Sequence, residues 1–522
     1  MNRNTSVVKI SLIFFLMSML HGGVVAQMKT LLEEEYYTLL PLHSPVLQTK
    51  NPAALALARI YKHGNVQLGY AYTNGNFKPS LNGSNKRKYY LNADQFFVLN
   101  KSVFRGSFTY ANEKEKGIHY SNMADPYRHL PYLFVDSVAA KDHAVRETYM
   151  LQSEWASRIS DKISIGAAIN YKAGLAAQAH DPRAQNTIAR FNVKPGLMLK
   201  LNRIQLGGDM FYRYYNQEID LITVKTNSVH TIYSLTGLGT FSTHTAATFS
   251  RLYKKHIWGG HLQLLAANNI FTGGASASIE TVKDGRKESG ATWSAIKSGS
   301  RLKGYTYHIG DVLTLQNEQR IHQIRLQGKI RQAIGTEILQ TLEASEKNDT
   351  YNWLTYSEQD KYEYINYRAA LSYQMVRLQS HNKMQYQWYF KTELNGIEEN
   401  YYIPNSQLSF SNLITTVNYR RIFNMGHDKM ELGASFLCNK NLTKEINLAS
   451  DNVITQNIIY PDYQYNVSDF WGAGFGFCYF LQPASGKMPT YLKCDYSYRR
   501  SASGYFKGQG NSGINLGVGL VL

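Results

Sequence analysis

The chain has 522 residues, 43% of them hydrophobic and 13% aromatic, with 39 Tyr and 39 Gly against only 12 Pro. A mean hydropathy of -0.36, with no run of about 18 apolar residues beyond the N-terminus, excludes helical membrane spans. Lys and Arg outnumber Asp and Glu by 56 to 38, a formal charge of +18; this surplus carries no nucleic-acid motif and fits anionic solutes, lipopolysaccharide phosphates or a solvated surface.

In chain order, Arg3 and Lys9 precede an apolar stretch from Ile10 to Leu20, and Val24-Val25-Ala26 leads into Gln27. Residues 1–26 read as a cleaved export signal, too short to cross about 30 Å of hydrocarbon as a helix. Residues 27–64 hold the acidic Glu33-Glu34-Glu35 and a helix-like run from Asn51 to Leu57, and are expected to form a short periplasmic segment. Asn before Pro is a common helix start, because the Asn side chain caps free N–H groups and Pro52 needs none.

From 65 to 522, two-residue periods recur, as expected where one strand face meets lipid and the other a lumen. Clear series are Ile163, Ile165, Ala167, Ile169, Tyr171; Ile204, Leu206, Gly208, Met210, Tyr212, Tyr214; and Met384, Tyr386, Trp388, Phe390. Further series are Ile365 to Tyr373, Trp471 to Tyr479, and Ile514, Leu516, Val518, Leu520, Leu522 at the carboxyl end. Tight turns are predicted near 100–101, 160–161, 202–203, 253–255, 317–319, 379–381, 423–428 and 481–489, with longer loops at 75–87, 113–146, 174–187, 216–243, 267–303, 335–361, 396–405, 441–466 and 501–510. The pattern predicts an all-β, closed antiparallel transmembrane barrel of about eighteen strands, with about 14–16 as the alternative. Short turns and an even count place both termini in the periplasm of a Gram-negative cell, with the barrel in the outer membrane.

The terminal strand resembles the signal by which barrel-assembly machinery recognises outer-membrane barrels, with Leu522 where Phe is usual. Asn51-Pro52-Ala53-Ala54-Leu55-Ala56 resembles the N-terminal segment of FadL-like long-chain fatty-acid transporters and of type IX secretion scaffold barrels. That resemblance implies a small hatch in the barrel mouth, with Asn51, Pro52 and Leu55 in it. The chain as a whole resembles large outer-membrane barrel families without an assigned activity. A globular plug of the kind found in energised transporters is not expected, since only residues 27–64 precede the first strand.

If the apolar series face lipid, the intervening cations Arg105, Lys172, Lys194, Arg213, Arg325, Lys329, Arg331, Arg368 and Lys391 line the pore. The matching acids are Asp94, Asp209 and Glu393, so a narrow lumen would concentrate anions. The densest patch is Gln323, Arg325, Gln327, Lys329, Arg331; its bland reading is pairing with lumen acids or headgroup-level placement. His119-Tyr120-Ser121-Asn122 resembles the His-x-Ser-Asn element of outer-membrane lipid deacylases and phospholipases, which implies His119 as base and Ser121 as nucleophile. Against catalysis, the motif falls in a long predicted loop with no third member in sight. His256 and His261 would face opposite sides of one strand, so no metal site or cofactor is expected. Cys438, Cys478 and Cys494 read as small apolar residues, with a Cys478–Cys494 bridge left open between consecutive strands. The function expected is a channel or transporter for a small anionic or amphipathic solute. A structural, assembly or surface-binding barrel is the first alternative and a lipid hydrolase the second.

Overall fold

Chains whose apolar residues alternate over ten or more positions can satisfy their backbone groups and bury one face only by pairing with neighbours of the same pattern. The computed structural model describes residues 33–522 apart from 59, 61–62, 129, 139–140, 225–229, 246–247, 288–292, 345–350, 380–382 and 484–487; the export signal expected at 1–26 lies outside the described residues. The first half holds β1 (His63–Gly75), β2 (Asn85–Leu99), β3 (Ser102–Ile118), β4 (Phe134–Asp136), β5 (Lys141–Arg158), β6 (Ile163–Gln178), β7 (Arg183–Leu201), β8 (Ile204–Ile222), β9 (Thr231–Leu235), β10 (Phe241–Thr245) and β11 (Thr248–Ala266). The second holds β12 (Asn269–Lys287), β13 (Trp293–Gln316), β14 (Arg320–Ala344), β15 (Tyr351–Gln379), β16 (Lys383–Tyr402), β17 (Asn405–Met425), β18 (Asp428–Asn447), β19 (Phe470–Leu481), β20 (Thr490–Ser501) and β21 (Gly510–Val521).

Leaving out β4, β9 and β10, each strand pairs antiparallel with the next, and together they form one 18-stranded sheet. The last strand returns to the first, with Asn65 opposite Val521 and Gly75 opposite Asn511, so no open edge is left. The barrel is closed, as the sequence predicts. On the outer face Met210 and Leu262 are exposed to 72% and 75%. Each such side chain would be disfavoured by about 1.5–3 kcal/mol in water, so a belt of them marks a surface built for lipid.

The count is as expected, but one hairpin is displaced. No turn interrupts 253–255; β11 runs through it and turns at Ala267-Asn268, with Ala267 at φ 50°. Lys255 is tolerated in mid-strand because it points inward onto Glu280, 3.0 Å away. The expected loop 267–303 is mostly β12 and the start of β13; the inward Thr272, Gly274, Ser276 and Ser278 of β12 are small, and Gly274 lies against His261 and His308 of the flanking strands. The expected loop 335–361 is also mainly strand, since β14 and β15 stay paired from Thr336 opposite Asp360 to Ala344 opposite Tyr351. The connections expected at 174–187 and 396–405 shrink to 179–182 and 403–404.

The barrel is filled from both ends. At the short-turn end, a helix at Glu33–His43 and short 3-10 turns at Pro45–Thr49 and Pro52–Leu57 lie inside, with Asn51, Pro52 and Leu55 buried. At the long-loop end, β4 pairs with β9 and β9 with β10, and this small sheet folds into the mouth. Its loops pack Met123, Leu130, Tyr132, Phe134 and Ile232 onto the inward Tyr215, Tyr253, Tyr362 and Phe410 of the wall.

Candidate functional site

The wall makes room for the N-terminal segment with three inward glycines. A Cβ on Gly166 would lie 2.6 Å from the Ala53 nitrogen, and one on Gly196 would collide with the Asn51 side chain. Gly207 is equally close to Gln263. Into this seat Asn51 fits through all of its polar atoms. Its Oδ1 accepts from the Ala53 N–H at 3.0 Å, while Nδ2 donates to the carbonyls of Leu197 and Gly208, both at 3.0 Å, and to Gln263 Oε1 at 3.1 Å. Lys194 donates to the Lys50 carbonyl at 2.6 Å and Arg325 to Gln48 Oε1 at 2.9 Å. Behind them Asp209, with no exposed side-chain surface, meets His261 Nδ1 at 2.5 Å, Gln263 Nε2 at 2.7 Å and Lys194 Nζ at 3.2 Å. The segment is therefore held by charge-assisted and backbone hydrogen bonds rather than by an apolar core alone.

The opposite plug is anchored by a buried ion pair. Arg251 forms a two-pronged bond to Asp284, 2.6 and 2.8 Å long, and donates to the Leu133 carbonyl at 3.2 Å. Phe134 of the plug stacks on the same guanidinium, 4.8 Å from ring centre to Arg251 Cζ. Asp284→Ala leaves a buried cation against the plug, and we expect it to cost about 3–5 kcal/mol, read as a lower temperature of heat-modified gel mobility. Unchanged mobility would show that the pair anchors nothing.

A second anchor lies outside the membrane-crossing strands, where the helix Tyr460–Asn466 presents Asp462 to two neighbouring loops. Asp462 accepts from the Ser80 N–H at 2.6 Å and the Tyr127 hydroxyl at 3.1 Å. Burial outweighs these bonds and pushes its carboxyl up to about 6. A carboxyl raised on folding binds its proton more readily when docked than when released. Docking is therefore strongest below about pH 4 and weakens as pH rises through about 6, by an upper bound of roughly 3 kcal/mol. Protection from hydrogen exchange in 455–467, corrected for the intrinsic base-catalysed rate, should fall between pH 4 and 7, and Asp462→Asn should flatten that dependence.

Between the plugs lies a charged chamber. Arg105, Lys172, Lys194, Arg213, Arg325, Lys329, Arg331, Arg368 and Lys391 all sit on the inner face of the sheet, several beside an exposed outward neighbour such as Phe104, Tyr171, Ile324, Ile330 or Phe390. Arg105 pairs with Asp94 at 3.1 Å, Lys194 with Asp209, and Arg368 and Lys391 with Glu393 at 3.0 and 2.5 Å. Lys172, Arg213, Arg325, Lys329 and Arg331 form no ion pair among the described residues; the three arginines have polar or aromatic contacts, as with Asn192 for Arg213, Gln48 for Arg325 and Tyr364 for Arg331. The fold adds cations that periodicity did not single out. Arg128 comes in on the loop and lies 4.2 Å above the Tyr215 ring, which Arg190 also approaches at 4.9 Å. Glu280 joins Arg128 at 2.8 Å and Lys255 at 3.0 Å, and Asp125 meets Arg190. Guanidinium nitrogens of Arg128, Arg190 and Arg331 are buried without a hydrogen-bond partner among the described residues.

The remaining sequence candidates are dispersed. Ser121 is 1% exposed inside the plug, where its hydroxyl donates to the Met123 carbonyl at 3.1 Å and accepts from the Met123 N–H at 3.2 Å. His119 has its neighbour Tyr120 as ring contact, and Tyr120 takes a left-handed φ of 57°. This local turn does not present the hydroxyl to lipid. His261 is inward beside Asp209 and His308, whereas His256 is outward with Tyr212 and Trp258. Cys478 lies opposite Lys493 and Cys494 opposite Phe477, so the two thiols face opposite sides of the sheet, and none of the three cysteines forms a disulfide among the described residues.

Fold and site define a closed β-barrel with a basic, doubly plugged lumen. Residues 52–522 match the family described as a family of unknown function (DUF6850), and the chain belongs to that family. No curated protein matches it in sequence. Among solved structures it is similar to BauA, the ferric preacinetobactin receptor of Acinetobacter baumannii, at 7% identity and a TM-score of 0.40 over 88% of this chain and 80% of that one. The ferric citrate transporter FecA gives 9% and 0.38 over 89% and 80%, and the RagAB peptide importer 6% and 0.41 over 88% and 87%. The strand pairing itself, rather than these likenesses, carries the fold described above.

Proposed function

We propose that this chain is an outer-membrane barrel, with an export signal at 1–26 and both termini periplasmic, that passes a small anionic or amphipathic solute through a gated lumen. The observation that supports it most is the chamber of cations between two plugs, five of the nine predicted ones lacking an ion pair among the described residues. A surplus of one sign between low-dielectric walls raises the local concentration of the other. Five cations with no carboxylate partner among the described residues would be a poor choice for a barrel that served only as a scaffold, because neutral contacts offset less of their desolvation than an ion pair would. In this reading residues 45–57 act as a hatch, and the folded-in loops face the outside. Proteoliposome uptake of labelled gluconate against labelled choline, at low ionic strength, through the barrel emptied of residues 45–57 and 122–136, tests it. Faster anion entry supports the reading; equal rates, or entry of choline alone, overturn it.

A further inference from the structure

Above the chamber, at the long-loop end, the β9–β10 hairpin stands away from the inner faces of β11–β16 and leaves a cleft of about 560 Å³. The wall is tall here because β14 and β15 run for 25 and 29 residues. The cleft opens outward past Leu339 and Ile403, both exposed, and its floor includes Tyr132 of the plug. Its size is that of a small-molecule site, about 300–1,000 Å³.

Two of its charge pairs are internally satisfied. Asp284 gives both oxygens to Arg251, and Glu337 accepts from Lys361 at 2.9 Å and from the Tyr401 hydroxyl. Lys297 is different. Although it lies opposite Asp284 on the next strand, it forms no ion pair among the described residues and rests over Trp353, 5.5 Å from the ring centre. The lining thus carries three cations, Arg251, Lys297 and Lys361, against two carboxylates. Phe241, Phe249 and Trp353 add aromatic surface, and Ser234 adds a buried hydroxyl with no hydrogen-bond partner among the described residues. A cation left over beside ring faces and an unspent hydroxyl suits a ligand with an apolar, preferably planar body and one acidic group.

We propose that this cleft is the first binding site for an amphipathic organic anion, whose apolar body packs on Phe241, Phe249 and Trp353 while its acidic group meets Lys297. The proposal rests on the transport reading and names where its solute is recognised. A ligand there would touch Tyr132, whose hydroxyl donates to the Arg301 carbonyl at 3.3 Å, and would border Arg251, which holds Leu133. Occupancy is thereby coupled to the plug without a separate relay.

The test is equilibrium dialysis of the full-length protein in nanodiscs against naphthalene-1-sulfonate and the uncharged naphthalene-1-methanol, with empty nanodiscs subtracted. Saturable binding that favours the sulfonate is expected. Lys297→Gln should weaken sulfonate binding about tenfold and leave the alcohol unchanged, Lys297→Arg should restore it, and Trp353→Ala should weaken both. Heat-modified gel mobility shows that each variant is folded. Absence of saturable sulfonate binding, equal binding of the two probes, or indifference to Lys297→Gln overturns the proposal. The combined change of Arg325, Lys329 and Arg331 to Gln separates the two readings. Sulfonate binding by the full-length protein that survives this change, while flux through the barrel emptied of both plugs shows no anion preference even with the three cations in place, counts against transport and leaves the cleft standing. Anion-selective flux with no sulfonate binding counts against the cleft alone.

Discussion

Excising residues 122–136 in favour of a short Gly-Ser bridge is expected to leave the barrel nearly silent in planar bilayers, as is deleting residues 45–57, whereas both changes together should open it. The two plugs block the lumen in series, so either one suffices. The loop contributes Met123, Leu130, Tyr132 and Phe134 to the apolar cluster at the long-loop end, and its β4 holds β9 and β10 in the mouth. The N-terminal segment is held separately, by Asn51 on Leu197, Gly208 and Gln263. Neither plug contributes a strand to the 18-stranded sheet, which closes through β1 and β21 alone. A barrel of that size, once emptied, holds an aqueous channel. Each single excision should keep conductance within about twofold of the intact protein, and the double excision should raise it by more than about tenfold. A single excision that opens the pore fully would show that the other plug does not seal; a folded double variant that stays silent would show that the wall itself collapses inward.

How much of this was legible in the sequence differs between wall and contents. The wall was readable because lipid on one side and a polar lumen on the other force a two-residue period, and Ile204 to Tyr214 or Ile514 to Leu520 state it openly. The count came out right although one hairpin was displaced. The adjacent charges Lys254-Lys255 resemble a turn in the middle of β11, while β12 hides in the sequence because its inward Thr272, Gly274, Ser276 and Ser278 give no contrast with a loop. Small residues belong there, since Gly274 lies between His261 and His308 and a Cβ would strike both. Extending the alternation back from His261 would have put Lys255 and Arg251 inside with it.

The contents were harder to read. Lumen cations on regular strands follow from parity, as Arg325, Lys329 and Arg331 do. Arg128 could not, since it enters on a loop whose fold into the mouth depends on Tyr253, Tyr215 and Phe410 from three distant strands. The same holds for the cleft. Lys297 and Trp353 belong to different strands and meet beyond the point where β13 leaves β14, whose pairing ends at Ser300 opposite Glu337 while β14 and β15 stay paired up to Ala344 opposite Tyr351. The Asn51-Pro52 start, in contrast, was local chemistry, and the Asn51 cap forms as its sequence implies, though on a 3-10 turn.

Changing Arg325, Lys329 and Arg331 to Gln in the doubly excised pore is expected to remove most of its anion preference while leaving its conductance at high salt nearly unchanged. These three lie at alternate or near-alternate inward positions on β14, between the level of the N-terminal segment, where Arg325 meets Gln48, and that of Arg331 beside Tyr364. None forms an ion pair among the described residues, so their removal strands no carboxylate, unlike removal of Arg105 from Asp94 or Lys194 from Asp209. The substitution therefore subtracts charge without creating a compensating defect. Charges act over about 10 Å in 0.1 M salt and about 3 Å in 1 M. The parent pore should accordingly be selective at 0.1 M and lose much of that selectivity at 1 M, whereas the variant should sit near the parent's high-salt behaviour at both. Reversal potentials across a tenfold salt gradient read this directly. If the parent shows no preference at 0.1 M, these cations do not face the ion path; if the preference survives the triple change, Lys172, Arg213 or Arg190 sets it instead, Arg190 having lost its partner Asp125 with the excised loop.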